Sequence, residues 1–226
     1  MLLAIIGLLI LALTLLPALW AKAVLRRYSG VRSDYPGSGG ELARHLLDRH
    51  GLQQVAVETT EQGDHYDPLA KVVRLAPEHY NGRSLTAVTV AAHEVGHALQ
   101  DHAGYAPLAW RTRLVRLAQG AEKAGAVLML ALPVLTVLTR APSAGLVVLL
   151  AGLASFGTAI LVHLVTLPVE LDASYRRALP LLASGYLPRN DLRPARQILT
   201  ACAFTYVAAS LFSVLNLWRW LAILRR

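Results

Sequence analysis

The sequence predicts a mainly α-helical membrane protein in which transmembrane helices carry a polar α+β part with a small sheet. Three observations lead there. Hydrophobic residues make up 55% of the 226-residue chain and the mean hydropathy is +0.45, both high for a soluble domain. The apolar residues gather in 1–21, 124–139, 144–169 and 198–218, which leaves the charge to the stretches between. The polar stretch 22–123 mixes helical spacing with short β-branched runs. The expected organisation is an anchor at 1–21, a polar region at 22–123, a hydrophobic hairpin at 124–169, a second polar segment at 170–197 and a hydrophobic helix at 198–226.

Residues 1–21 carry no charge and are long enough to span a hydrocarbon core of ~30 Å. The rival is a cleaved signal peptide, with Ala21-Lys22-Ala23 as its cleavage site. No Lys or Arg precedes the apolar run, and the run is longer than a usual signal core, so an uncleaved anchor is preferred. Lys22, Arg26 and Arg27 follow at once, with Trp20 and Tyr28 at the expected interface level.

Beyond it, 33–40 is rich in Pro, Gly and Ser and reads as a loop. A helix follows over 40–49, with Leu42, Leu46 and Leu47 on its apolar face, ending near Gly51. Val55–Glu58 and Lys71–Leu75 read as short strands, and Gly63–Pro68 as a turn between them. A strand of this sheet could take an extended peptide as an added strand.

The stretch Ala91–Gln100 holds the pattern H-E-x-x-H. Ser84 is a fitting N-cap, and Leu85, Val88, Ala92, Val95 and Leu99 recur at helical spacing, so a helix is expected over 84–101. Residues four apart share a helix face, which brings His93 and His97 to a common point, a spacing that suits tetrahedral zinc. Glu94 projects beside them, where a carboxylate can take a proton from a water activated by the metal. With this content of His and Glu the pattern arises by chance only ~0.009 times, so a structural histidine pair is the weaker reading. Gly96 is costly in a helix interior and suggests that something approaches closely there.

Other histidines carry less. His65 and Tyr66 sit in a polar turn, where local hydrogen bonding competes with a role at the site, and His45, His50, His79 and His102 show no ligand spacing. Cys202 is the sole cysteine, so zinc must be held without a thiolate pair, and Cys202 reads as a small buried residue.

Trp110 with Arg111, Arg113 and Arg116 invites a nucleic-acid reading, as does the net charge of +8. No binding motif accompanies that charge, and its place before an apolar span fits a membrane-surface collar. Nucleic acid is therefore excluded and the lipid bilayer is the expected partner. Segments 124–139 and 144–169 form a hairpin around Arg140–Ser143, the first of them holding Pro133. Of the Lys and Arg, 13 lie in 22–123 and 5 in 170–197, so the positive-inside rule puts both polar parts in the cytoplasm, where they can meet. Whether 198–226 spans the membrane or ends at its interface stays open.

Zinc needs a third protein ligand. Segment 170–197 offers Glu170 at the end of the hairpin; Asp172 is the alternative oxygen, His163 a more distant nitrogen, and a solvated or Arg-paired Glu170 the bland reading.

Asp64–Pro68, Lys71–Leu75, Ala91–Ala98, Leu167–Glu170, Ala173-Ser174 and Thr205–Ala209 together resemble the YugP-like family of bacterial membrane zinc metallopeptidases, over nearly the whole chain. The arrangement is more distantly similar to the HtpX-type membrane proteases. The resemblance implies a zincin-like, gluzincin-type catalytic part in a multi-pass protein of the bacterial inner membrane. It also implies that Glu170 joins His93 and His97 on Zn2+, that Glu94 is the catalytic base and that the substrate is a peptide or protein. In the wider group an Asp follows four residues after the glutamate; here that position is Ser174. A silent membrane scaffold or chaperone-like protein with a vestigial or structural zinc site is the alternative.

Overall fold

The computed structural model describes residues 2–121, 162 and 165–204, with side chains from residue 12 and then from 15 onward. Helix α1 (Leu2–Arg27) runs into a short loop that leads to α2 (Gly39–Arg49). Ser38 opens α2 with a capping box: its hydroxyl accepts from Glu41 N at 3.3 Å while Glu41 Oε2 accepts from Ser38 N at 2.7 Å. Ala43, Leu46 and Leu47 form the buried face, and Gly51, at φ 74°, turns the chain out of the helix. The start of α2 presses so tightly on its neighbours that a Cβ at Gly39 would stand 2.4 Å from His79 O and 2.7 Å from Ala87 O.

Three strands follow: β1 (Ala56–Thr59), β2 (His65–Asp67) and β3 (Val72–Leu75), in spatial order β1-β3-β2. β1 runs parallel to the central β3, pairing Val57 with Val73, and β2 antiparallel, pairing Tyr66 with Val73. The Gly63–Pro68 stretch is thus a short strand framed by turn chemistry. Asp67 Oδ1 accepts from Leu69 N and Ala70 N, and Asp64 Oδ1 from Ala76 N. Three residues are too few for an alternation to register.

After the single-turn α3 (Pro77–Tyr80) comes α4 (Leu85–His102), capped by Ser84, whose hydroxyl accepts from Ala87 N at 3.1 Å. Nearly all of α4 is buried. It is the axis of the molecule: α2, α3 and the sheet pack against it on some sides, and the segment after residue 165 on another. That segment is helical over 165–171 and then widens into π-helical turns at Asp172–Ala178 and Leu182–Tyr186. Its last turn breaks at Gly185, whose φ of 119° few other residues adopt, and a helix over 189–204 closes the core with Ile198 and Leu199.

The expectation of a membrane fold is corrected here. The described residues form a mostly helical structure with one three-stranded sheet, and among them no helix is long and apolar enough to cross a membrane. Only the end of α1 rests on the protein, and the described side chains of Leu15, Leu16, Leu19 and Trp20, earlier in the run, are exposed. Ala21 is fully buried, Val24, Leu25 and Tyr28 pack on the protein core, and Thr86 Oγ1 donates to Leu25 O at 2.7 Å. The hairpin expected over 124–169 lies, apart from 162 and 165–169, outside the described residues, as do His163 and the chain after 204.

Candidate metal centre

Two elements build the site. α4 carries His93 and His97 one turn apart, with ring centroids 4.8 Å from each other and both side chains almost wholly buried. The helical turn at 165–171 delivers Glu170, which is fully buried and whose Oε2 stands 3.1 Å from His93 Nε2 and 3.5 Å from His97 Nε2. One ligand atom from each of the three lies within 4.8 Å of the others, the only such metal-capable group among the described residues. Close packing makes this approach fit. Gly96 lies between the histidines, and a Cβ there would stand 2.8 Å from Ala173 O, so the third segment rests directly on the α4 backbone.

The outward ring nitrogens fix the tautomers. Gln100 Nε2 donates to Val169 O at 2.8 Å, which turns its Oε1 toward His97 Nδ1 at 2.9 Å. An amide oxygen only accepts, so His97 carries its proton on Nδ1 and turns the Nε2 lone pair inward. Ser174 Oγ stands 3.1 Å from His93 Nδ1 and 3.4 Å from Leu199 O; donating to Leu199 O leaves it to accept from His93 Nδ1–H. Two imidazole lone pairs and a carboxylate oxygen then converge on one buried spot. Neutral imidazoles cannot satisfy that arrangement among themselves, whereas a cation can, and imidazole–imidazole–carboxylate is a donor set that suits zinc. Glu170 Oε1, on the far side of the carboxylate, lies 3.1 Å from Arg111 Nη1, which leaves Oε2 as the oxygen facing the histidines. The residues fit the metal.

Glu94, next to His93 on α4, is 5% exposed and interacts electrostatically with His93 and Glu170. Burial pushes its carboxyl up to about 7, with the Glu170 and Asp64 charges adding to the rise and His93 and Arg111 opposing it. For Glu170, burial works upward too, but the neighbouring His97 and His93 imidazoles outweigh it and hold the group below the usual carboxylate range.

The other candidates weighed on the sequence have partners of their own. Asp172, the alternative oxygen ligand, instead accepts from Arg177 Nε at 3.1 Å and stands 3.4 Å from Gln100 Nε2. His65 bonds Gly63 O, and Tyr66 donates to Asp101 Oδ2 at 2.6 Å, near the C-terminal end of α4. His45 meets Tyr186, and His79 pairs with Asp64 at 2.7 Å. Gln100, Ser174 and Arg111 were missed as partners of the three candidate ligands. Gln100 left a trace, lying one turn after His97 on the same helix, and Ser174 another, standing four residues after Glu170 where the wider group has Asp. Arg111, read as part of a membrane collar, reaches Glu170 Oε1 at 3.1 Å.

Against known proteins, residues 2–225 match the family described as "Putative neutral zinc metallopeptidase". The chain is 37% identical over 204 residues to the Bacillus subtilis protein named "Putative membrane protease YugP", covering 89% of this chain and 87% of that relative. No solved structure matches.

Proposed function

Because the chain belongs to this neutral zinc metallopeptidase family, we propose that it hydrolyses peptide bonds at the centre formed by His93, His97, Glu170 and Glu94. The observation that carries this is the convergence of two histidine nitrogens and one carboxylate oxygen in a buried site with a second carboxylate beside them. His93 and His97, each with its proton held outward, and Glu170 would hold the zinc. A zinc ion there supplies a Lewis acid for the scissile carbonyl and lowers the pKa of the attacking water toward ~7.

Glu94 is the general base. It accepts the water's proton at its carboxylate and delivers it to the leaving amine, a double duty that favours a carboxyl poised near the working pH. Burial raises Glu94 to about 7, near the working pH at which it must both accept and return a proton. Burial of the cluster keeps bulk water away from the reacting groups. An extended substrate would run along an outer strand of the sheet, pairing with its free backbone groups.

A silent protein with a structural zinc site has less support. Structural sites commonly close with four protein ligands, and the described residues bring three. The test is Glu94→Gln in the zinc-loaded protein with a peptide substrate. Zinc stoichiometry stays as in wild type and turnover falls by ~10²–10⁴-fold; full turnover in that variant removes Glu94 from the chemistry.

A further inference from the structure

The two oxygens of Glu170 face different partners. Oε2 looks toward His93 Nε2 and His97 Nε2, at 3.1 and 3.5 Å, while Oε1 lies 3.1 Å from Arg111 Nη1. Arg111 stands on the helix over 106–121, which follows α4 after the turn at Gly104, φ 63°. Its side chain is only 20% exposed, so the ion pair is largely shielded from solvent. A carboxylate can bind a dication through one oxygen or both. A guanidinium held against one oxygen competes for it with a full positive charge, and in a water-poor site that competition is strong.

Resting on the zinc reading above, we propose that Arg111 is a positioning residue that makes Glu170 a one-oxygen ligand, binding through Oε2 alone. The consequence is a coordination number. Two imidazoles and one oxygen leave a tetrahedral centre one position for water, whereas a two-oxygen Glu170 would fill it or force five-coordination. Arg111 also stops Glu170 from swinging, because both of its oxygens then have fixed partners.

The experiment uses the full-length protein with cobalt(II) in place of zinc, since four-coordinate cobalt absorbs visible light far more strongly than five- or six-coordinate cobalt. Wild type gives the intense four-coordinate spectrum. Arg111→Gln, which keeps most of the side-chain volume, gives a weaker spectrum and lowers zinc affinity by ~10–100-fold. Arg111→Lys, which keeps the cation, recovers much of both. A weak, high-coordinate spectrum in wild type itself overturns the proposal even if Arg111→Gln does not fold. An Arg111→Gln protein with wild-type spectrum and zinc affinity but reduced kcat overturns it as well, and moves Arg111 onto the substrate. Wild type that binds neither metal defeats the zinc reading itself, a distinguishable result.

Discussion

Gly96→Ala sets two opposed effects of known size against each other. In an exposed helix interior the change stabilises by about 0.8–1 kcal/mol, because Ala loses less backbone entropy than Gly. Here the new methyl would stand 2.8 Å from Ala173 O, 3.3 Å from Ala173 C and 3.4 Å from Ala173 Cα. The obstacle is buried backbone, which cannot rotate away as a side chain can, and overpacking of this kind costs about 1–3 kcal/mol. The net effect is destabilisation of about 0–2 kcal/mol, or a fall in Tm of up to about 8 °C for a chain of this size. The larger effect is local. Relieving the clash pushes Ala173 away from α4, and with it Glu170 and Ser174, which face His93 from the same segment. Zinc affinity, measured by competition with a chromogenic chelator, falls by ~10-fold or more. A variant stabilised by about 1 kcal/mol with unchanged zinc affinity would show that propensity alone governs position 96, and would refute the close-approach argument.

Two further outcomes follow from single contacts. Tyr66→Phe removes the 2.6 Å hydrogen bond to Asp101, which Lys71 also engages. Thermal denaturation should show a loss of about 1–2 kcal/mol with turnover intact, and a tenfold fall in kcat would place Tyr66 in the chemistry. For His79, burial works to lower the pKa, but the hydrogen bond and charge of Asp64 outweigh it and leave the net shift upward. Stability from this pair is therefore fully present below the unfolded histidine's pKa of ~6.5 and is lost as pH rises through the higher folded value. Asp64→Asn keeps the acceptor for Ala76 N but drops the charge. Its stability deficit in urea titrations should shrink as pH rises above ~6.5, and a deficit that grows with pH would reverse the sign of the argument.

What the sequence disclosed divides by distance along the chain. The Ser84 cap, the α4 face and the His93–His97 spacing are local, and local rules read them. Glu170 lies 77 residues from His93, and spacing does not choose it over Asp172; only the family resemblance of the stretch around it did. In the structure packing chooses, by resting Ala173 on Gly96 and turning Asp172 toward Gln100 and Arg177. Arg111 was illegible because guanidinium groups are common and only the final contact distinguishes it, while Gln100 and Ser174 showed only their positions, one turn after His97 and four residues after Glu170. β2 was hidden by its length and by the turn residues around it. The membrane fold is overturned because no helix among the described residues is long and apolar enough to cross a membrane, and the run at 1–21, among its described side chains, meets the protein's core only at its end, through Ala21.

The most direct test is the zinc content of the purified full-length chain beside Glu170→Ala and His93→Ala, each prepared with metal supplied and excess removed. The account predicts one zinc per wild-type chain and its loss in both variants, with circular dichroism unchanged. Zinc retained in Glu170→Ala, or none in the metal-replete wild type, would contradict the three-ligand centre on which the peptidase reading stands.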